Sequence, residues 1–459
     1  MLIKKGKIDY ILLIFLFFPF AFIIGQAAVS LVFIYSLFLF IINLKKINFE
    51  IEKKDFFLLL FFFIIFLSSI WNYFSDHKLL STILSSILFL KFLIPYYLIK
   101  SIKIDETFYN QLVNILFLSL IAFLFVAIDT AYQYNHPDKL DLFGYGTNVH
   151  NINRLTGPFG NDEAIPGSYL IKVCFVILIF LNFYLIEKFK NKQKKIILFL
   201  IPFLNVSYLI IIFVTGERIA FLMSLLAFIL LFFLLNKSKK SLFFSGTVAA
   251  IFITIILIQN PYIKSRYEIL GKFIFSKNYI SADVEKKTEI NQSEKRNKNS
   301  INFLNNQWGA HYLTAIEIFR DKFFIGSGIK GFRIDCSKNK YNNIKSLSFY
   351  KRCSTHPHNL YFELLAETGS LGFISILIFF ILIIKTNLKN ILILKKNKFN
   401  FEDQIIFSCY IAAFAVFISI LWPIRSSGSF FSNFNGSTIW INIYWLLLFE
   451  KYFKKNNMI

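Results

Sequence analysis

Two of the chain's six histidines stand two apart in His356-Pro357-His358-Asn359, where a polar stretch gives way to an apolar one. Imidazole is the side chain that trades a proton near neutral pH. Asn359 is a preferred N-cap for a short helix over 360–367, and Gly369 suits that helix's stop, with the next apolar run behind it and Gly372 in its first turn. His358 then lies beside a helix N-terminus, where backbone N–H groups favour an anion and lower the imidazole's pKa. Pro357 stiffens the approach from His356. Two readings fit these residues: a general base kept neutral beside an anion, or a capping histidine. Glu367, at the end of the same helix, either orients the base or acceptor or is a helix-end polar residue.

The arginines are the second candidate set. Arg218 opens an apolar run in TGERIAFL, Arg154 precedes another in NRLTGPFGNDEAIPGSYL, and Arg425 follows LWPI. Arg266 and Arg333 flank the ordered part of the longest polar segment, whereas the short basic blocks elsewhere are nearly all Lys. A guanidinium fork matches phosphate oxygens, so such a cluster suits a lipid-linked phosphate or pyrophosphate. Each arginine alone also reads as an interfacial side chain with its head in water. The chain has no G-x-x-x-x-G-K-[ST] and no D-x-D, which argues against an ATP-driven pump and a metal-held nucleotide-sugar donor. No H-E-x-x-H or cysteine cluster supports the histidine pair as a zinc site, so neither metal nor cofactor is expected. Acids within apolar runs are few, and Asp129 and Glu217 sit near run ends, which weakens an ion-coupled transporter.

The elements that must position these residues are membrane helices. Hydrophobic residues make up 56% of the chain and the mean hydropathy is +0.58. Apolar runs approach the ~20 residues that cross a bilayer, and lipid forces spanning backbone into helices. The pattern predicts an all-α polytopic membrane protein of about twelve spans, near 9–24, 27–43, 56–72, 80–99, 109–131, 165–186, 196–214, 218–236, 241–258, 368–384, 404–422 and 435–450. The formal charge of +23 is no nucleic-acid footprint, because about half of the Lys and Arg fall in short blocks that alternate between runs. That alternation predicts both termini in the cytoplasm, and the first run is expected as a retained helix. Residues 1–258 then form spans one to nine, with an outer loop near 132–164. Residues 259–367 form one large outer loop between spans nine and ten, with a mobile stretch near 281–307. Residues 368–459 hold the last three spans and a cytoplasmic tail. Leu313, Ala315, Ile316 and Phe319 have helical spacing, with His311 just ahead of them, and three glycines follow in IGSGIKGF. Cys336 and Cys353 share the large outer loop, where an oxidising compartment suits a disulfide, two free thiols being the alternative.

His358-Asn359, nine residues, Gly369, two residues, Gly372 resembles the H-[NSQ]-x9-G-x-x-G motif of the bacterial O-antigen ligase and O-antigen polymerase family. Arg218-Ile-Ala-Phe-Leu222 is similar to that family's R-x3-L element, RLTGPFGNDEAIPGSYL to its R-x-x-G-x-F element, and AIEIFRDKFFIGSGIKGF to the stretch ahead of the histidine motif. The resemblance covers roughly 140–440. It implies a metal-independent, inverting glycosyltransferase of the bacterial inner membrane with its site facing the periplasm. The donor is a glycan on undecaprenyl pyrophosphate, and the acceptor is lipid A–core for a ligase or a growing glycan for a polymerase. A protein O-oligosaccharyltransferase shares the motifs, and a transporter of the same lipid carrier is the competing class. In this reading His358 is the base, Arg218, Arg154 and Arg266 hold the pyrophosphate, and Asn359, His311, His356, Glu367, Gly369, Gly372 and Arg425 support them. One departure stands out. The arginine that many members carry just before the 312–320 helix is absent from Gln307-Trp308-Gly309-Ala310-His311, leaving His311 or Arg266 as its substitute.

Overall fold

The computed structural model describes residues 9–47, 49–76, 80–136, 142, 154–159, 165–189, 194–261, 263–268, 306–344, 346, 348–423 and 425–459. Most of 132–164 and nearly all of 281–307, for which a loop and a mobile stretch are expected, lie outside the described residues. Long helices dominate: α1 (Leu13–Ile24), α2 (Gln26–Ile42), α3 (Lys53–Asp76), α4 (Leu80–Ser101), α5 (Phe108–Asn135), α6 (Pro166–Lys188) and α7 (Lys194–Val214). They continue through α8 (Arg218–Leu234), α9 (Lys239–Gln259), α10 (Gln307–Asp321), α11 (Leu360–Leu394), α12 (Phe401–Ile420) and α13 (Asn433–Lys455). Every apolar stretch expected from the sequence falls on one of these helices. Among the described residues, seven helices are long and apolar enough to cross a membrane, namely α3, α4, α5, α6, α9, α11 and α12. The protein is therefore an all-helical membrane protein.

The interior is built around α12, which is buried along almost its whole length and packs against α6, α8 and α13. Helix α11 lies along α3, and α7 along α9. Aromatic side chains fill the centre: Trp440 stacks on Phe92 at 5.5 Å, and Tyr410 on Phe453 at 6.0 Å. Helix α9 is the contrast. Most of its apolar residues are exposed, as suits a surface solvated by lipid.

The two ends of the bundle differ. At one end the lysine-rich connections meet. Lys54 pairs with Glu450, Lys100 with Asp55 and Lys237 with Glu187, and Tyr452 donates to Asp403. The other end gathers 154–159, 213–218, 263–268, 306–359 and 421–432, with backbone and side-chain bonds running between these segments. The candidate histidines and arginines lie there, with Glu367, Gly369 and Gly372 following on α11.

One sequence expectation holds and one changes. The helix from Leu360 stops at Gly369, whose backbone (φ 64°, ψ −171°) is not helical, and the next helix takes over there as expected but runs on to Leu394; α11 names the two together across this kink. Lys385 and Lys389, expected in a loop, are therefore helical, in keeping with the good helix propensity of Lys. The kink has a visible cause. The glycine loop splices into the opened helix: Ser327 N–H donates to Ala366 O (2.9 Å) and Gly328 N–H to Glu367 O (2.9 Å). Ser370 N–H and Leu371 N–H reach back to Phe323 O (2.7 Å) and Phe324 O (3.1 Å). Gly326 and Gly369 face each other so closely that a Cβ on Gly369 would stand 2.5 Å from Gly326 N, and both have positive φ. Only glycine meets both demands.

Candidate functional site

Asn359 caps α11 with its side-chain oxygen, accepting from Tyr361 N–H (2.9 Å) and Phe362 N–H (3.4 Å). Its amide donates to Pro423 O (2.9 Å) and Arg425 O (3.3 Å), which ties the cap to the 421–432 loop. Ser427 N–H in turn donates to His358 O (2.8 Å). His358 itself is left-handed (φ 60°), a conformation that needs such external bonds to persist.

Around His358 the structure gathers two other histidines and a tryptophan. The His356 ring is 4.2 Å away, His311 stacks at 5.3 Å, and Trp308 meets it edge-on at 4.8 Å. Ser354 Oγ lies 3.0 Å from His358 Nε2. His356 Nε2 lies 3.1 Å from the Ser427 carbonyl, which can only accept, so Nε2 carries the proton and Nδ1 is left to accept from Thr355 Oγ1 (3.0 Å). Both of its nitrogens are therefore committed to holding the loop. His311 donates to the Lys351 backbone, and its buried Nδ1 has no partner among the described residues.

Burial, then the charges that His356 and His311 would carry, pull the His358 pKa down to about 3. The helix end expected to do this is not among those causes. His311 and His356 are lowered as well, again chiefly by burial. At neutral pH His358 is thus an uncharged acceptor. Arg333, on the short helix Phe332–Asp335, bears electrostatically on His356 and Glu363. It brings a cation to the side where the sequence lacks an arginine before α10.

Glu367 accepts from Lys330 N–H (2.7 Å) and Phe332 N–H (3.2 Å) and so locks the glycine loop. Gly372 lies against Thr368 and Ile64, where α11 meets α3. Glu363, unremarked in sequence, accepts from Ser429 Oγ and from Phe430 N–H (2.7 Å), fixing the loop that holds His356 and His358. Cys336 and Cys353 are disulfide-bonded with Cα atoms 5.2 Å apart, which anchors the segment leading to Ser354 and His358. Arg352 reinforces that anchor by donating to Cys336 O (2.9 Å).

The arginines assemble from distant segments. Leu155 N–H donates to Thr215 O (3.1 Å), placing Arg154 beside the turn that precedes Arg218. Tyr267 stacks on Phe213 at 4.3 Å and donates to its carbonyl (2.9 Å), bringing Arg266 to the same turn. Burial lowers the Arg266 pKa to about 10, helped by repulsion from Arg218 and Arg154. The three cations thus share one neighbourhood, and Arg266 Nε has no hydrogen-bond partner among the described residues. Glu217 closes the turn, accepting from Gly167 N–H (2.6 Å), Ser168 N–H (3.1 Å) and Ser168 Oγ (2.7 Å). Burial pushes its carboxyl up to about 7 against those donors and the charge of Lys172. Arg425 is buried apart from this trio, with Nε donating to Ile420 O (2.5 Å).

Sequence reasoning missed Trp308, Ser354, Glu363 and Lys172. Trp308 and His311 share one face of α10 at i, i+3 spacing, a signal open to inspection. The others become visible only where the 425–430 loop folds over α6 and α11. Chemically the site offers a neutral base among aromatic rings on one side and a cluster of cations on the other. Among the described residues, no group of three or more His, Cys, Asp or Glu side chains is arranged to hold a metal ion. Residues 203–377, which include Arg218, Arg266, His311 and His358, match the family model for O-antigen ligase. No protein in the curated set matches the chain.

Proposed function

Starting from an O-antigen ligase match that spans both halves of the site, we propose that the protein transfers a glycan from a polyprenyl-pyrophosphate carrier to an acceptor hydroxyl. The reading rests on one observation above all. The matched segment carries a half-buried neutral histidine toward one end and, toward the other, arginines that crowd with Arg154. Glycosyl transfer from such a donor needs the departing pyrophosphate neutralised and the attacking hydroxyl relieved of its proton. Arg154, Arg218 and Arg266 supply the first, as clustered cations that offset the negative charge as it develops. His358 supplies the second, accepting the proton as the hydroxyl oxygen attacks the anomeric carbon. The carbon–pyrophosphate bond breaks as the new glycosidic bond forms, and one direct displacement inverts the centre. Trp308 and His311 Nδ1, which has no partner among the described residues, give the sugar an aromatic face and a hydrogen-bond acceptor.

A base lowered to about 3 is weak by itself. An anionic donor beside the imidazoles reverses part of that repulsion and strengthens the base when the substrate is in place. In this reading the site end of the bundle faces the periplasm, the lysine-rich end faces the cytoplasm of the inner membrane, and the shorter apolar helices also cross. Lipid A–core is the expected acceptor.

Reconstitution tests the reading. The protein in liposomes is given an undecaprenyl-pyrophosphate-linked oligosaccharide and, separately, lipid A–core, a free glycan chain and an acceptor protein. Product on lipid A–core, formed without ATP and in the presence of EDTA, is the expected result. Product on the glycan or the protein alone moves the acceptor assignment to polymerase or protein transferase. Dependence on ATP, or no transfer to any acceptor, overturns the class.

A further inference from the structure

The donor site just proposed leaves the buried Lys172 without a role. Lys172 lies in α6, about 9 Å along the helix axis from Pro166 at the ~1.5 Å rise per residue of an α-helix. It sits within Leu170–Cys174, where the helix widens to π geometry. Such bulges rotate a side chain out of register and recur at functional sites. The residue is 6% exposed. Among the described residues its ammonium has one hydrogen-bond acceptor, Asn435 Oδ1 at 3.2 Å, and no carboxylate at salt-bridge distance. Its charged neighbours work against one another. Arg425 repels it, and Glu217 attracts it from a distance while its oxygens are held by Gly167 and Ser168. A buried ammonium with three donors and one neutral acceptor is costly unless an anion joins it.

Its place in the fold says which anion. Asn435 packs directly under the loop that holds the histidines: a Cβ on Gly428 would stand 2.1 Å from Asn435 Nδ2. One residue earlier, Ser427 bonds both His356 and His358. On its other side, Glu217 borders Arg218 and closes the turn shared with Arg154 and Arg266. Lys172 therefore lies beneath the junction of the histidine half and the arginine half. The flexible four-carbon stem lets its head rise toward the site end of the bundle. We infer that Lys172 is a further donor-binding residue, contacting the diphosphate of the lipid-linked donor from the hydrocarbon side, beneath the arginines. The inference rests on the donor class proposed above.

Binding of a polyprenyl diphosphate carrying no glycan, measured on the full chain in nanodiscs, tests it. Lys172→Gln keeps a donor for Asn435 but removes the charge, and is expected to bind about 10- to 100-fold more weakly, the loss for one charge-assisted hydrogen bond. Lys172→Arg restores binding. Asn435→Asp leaves the lysine in place but gives it a counterion; it is expected to weaken binding while raising the thermal unfolding midpoint. A purely structural lysine predicts the reverse pattern, with unchanged binding in Lys172→Gln and Asn435→Asp, and that result overturns the inference while leaving the transferase reading intact. Failure of the wild-type protein to bind the diphosphate overturns the donor assignment itself, and the role of Lys172 with it.

Discussion

The histidine half and the arginine half of the site are held by different means. His358 is positioned by backbone: a capped helix start, a left-handed residue bonded to Ser427, and a glycine loop spliced into a broken helix a few turns below. Arg154, Arg218 and Arg266 come from three segments far apart in sequence, joined by the Leu155–Thr215 bond and the stacking of Tyr267 on Phe213. The first half gives a fixed direction to one side chain, which proton transfer needs. The second gathers charge from three segments, which suffices for a diffuse anion. Backbone geometry tolerates no substitution at its glycines, whereas a charge cluster degrades by steps.

Four measurements can break or sharpen that contrast. His358→Ala in the reconstituted transfer assay is expected to lower kcat by roughly 10²- to 10⁴-fold, the usual yield of a positioned acid–base group. An unchanged rate would remove the histidine half from the chemistry. Arg218→Ala is expected to lower kcat/KM by about 10- to 100-fold, with Arg218→Lys between it and wild type, because a point charge replaces part of a bidentate fork. Equal damage from both substitutions would mean that direction matters on the arginine side as well. Gly369→Ala forces a side chain into positive φ and onto Phe324. A loss of at least about 1–3 kcal/mol in a denaturation series is expected from the backbone strain alone. Gly246→Ala, in an open part of α9, is its control and should be neutral or stabilising by up to about 1 kcal/mol.

The smallest effect is in pH. His358 has a folded pKa near 3 against an ordinary value of about 6.5, so between these values the unfolded chain binds more protons than the folded one. Its contribution to stability is complete above about 6.5 and is lost as pH falls toward 3. The acid-side loss of thermal stability should be shallower in His358→Gln than in wild type. Parallel acid limbs would mean that the imidazole is not buried as described.

Much of this site was legible in the sequence because it depends on local rules. Asn359 is a capping residue followed by an apolar helix, and it caps. Gly326 and Gly369 stand where a chain must turn or approach closely, and they do both. The cause of the lowered His358 pKa was misassigned because a one-dimensional reading sees the helix start next door. It does not see the packing that desolvates the ring, nor His311 arriving from another helix to stack on it. Glu363 and Glu367 look equivalent in a helical register, yet one fixes the 425–430 loop and the other the glycine loop. Side chains one turn apart meet different partners once two loops fold over the same helix.

The sequence by itself determined the all-helical membrane class, the segments that became helices, and the residue types able to move a proton and hold an anion. Hydrophobic length and local backbone preference depend only on near neighbours. The tertiary structure alone decided the pairing of His311 with His358, the crowding of three arginines, and the burial of Lys172 beneath the loop of Arg425. Charge and desolvation act through space, and chain distance says nothing about which cations a fold will bring together.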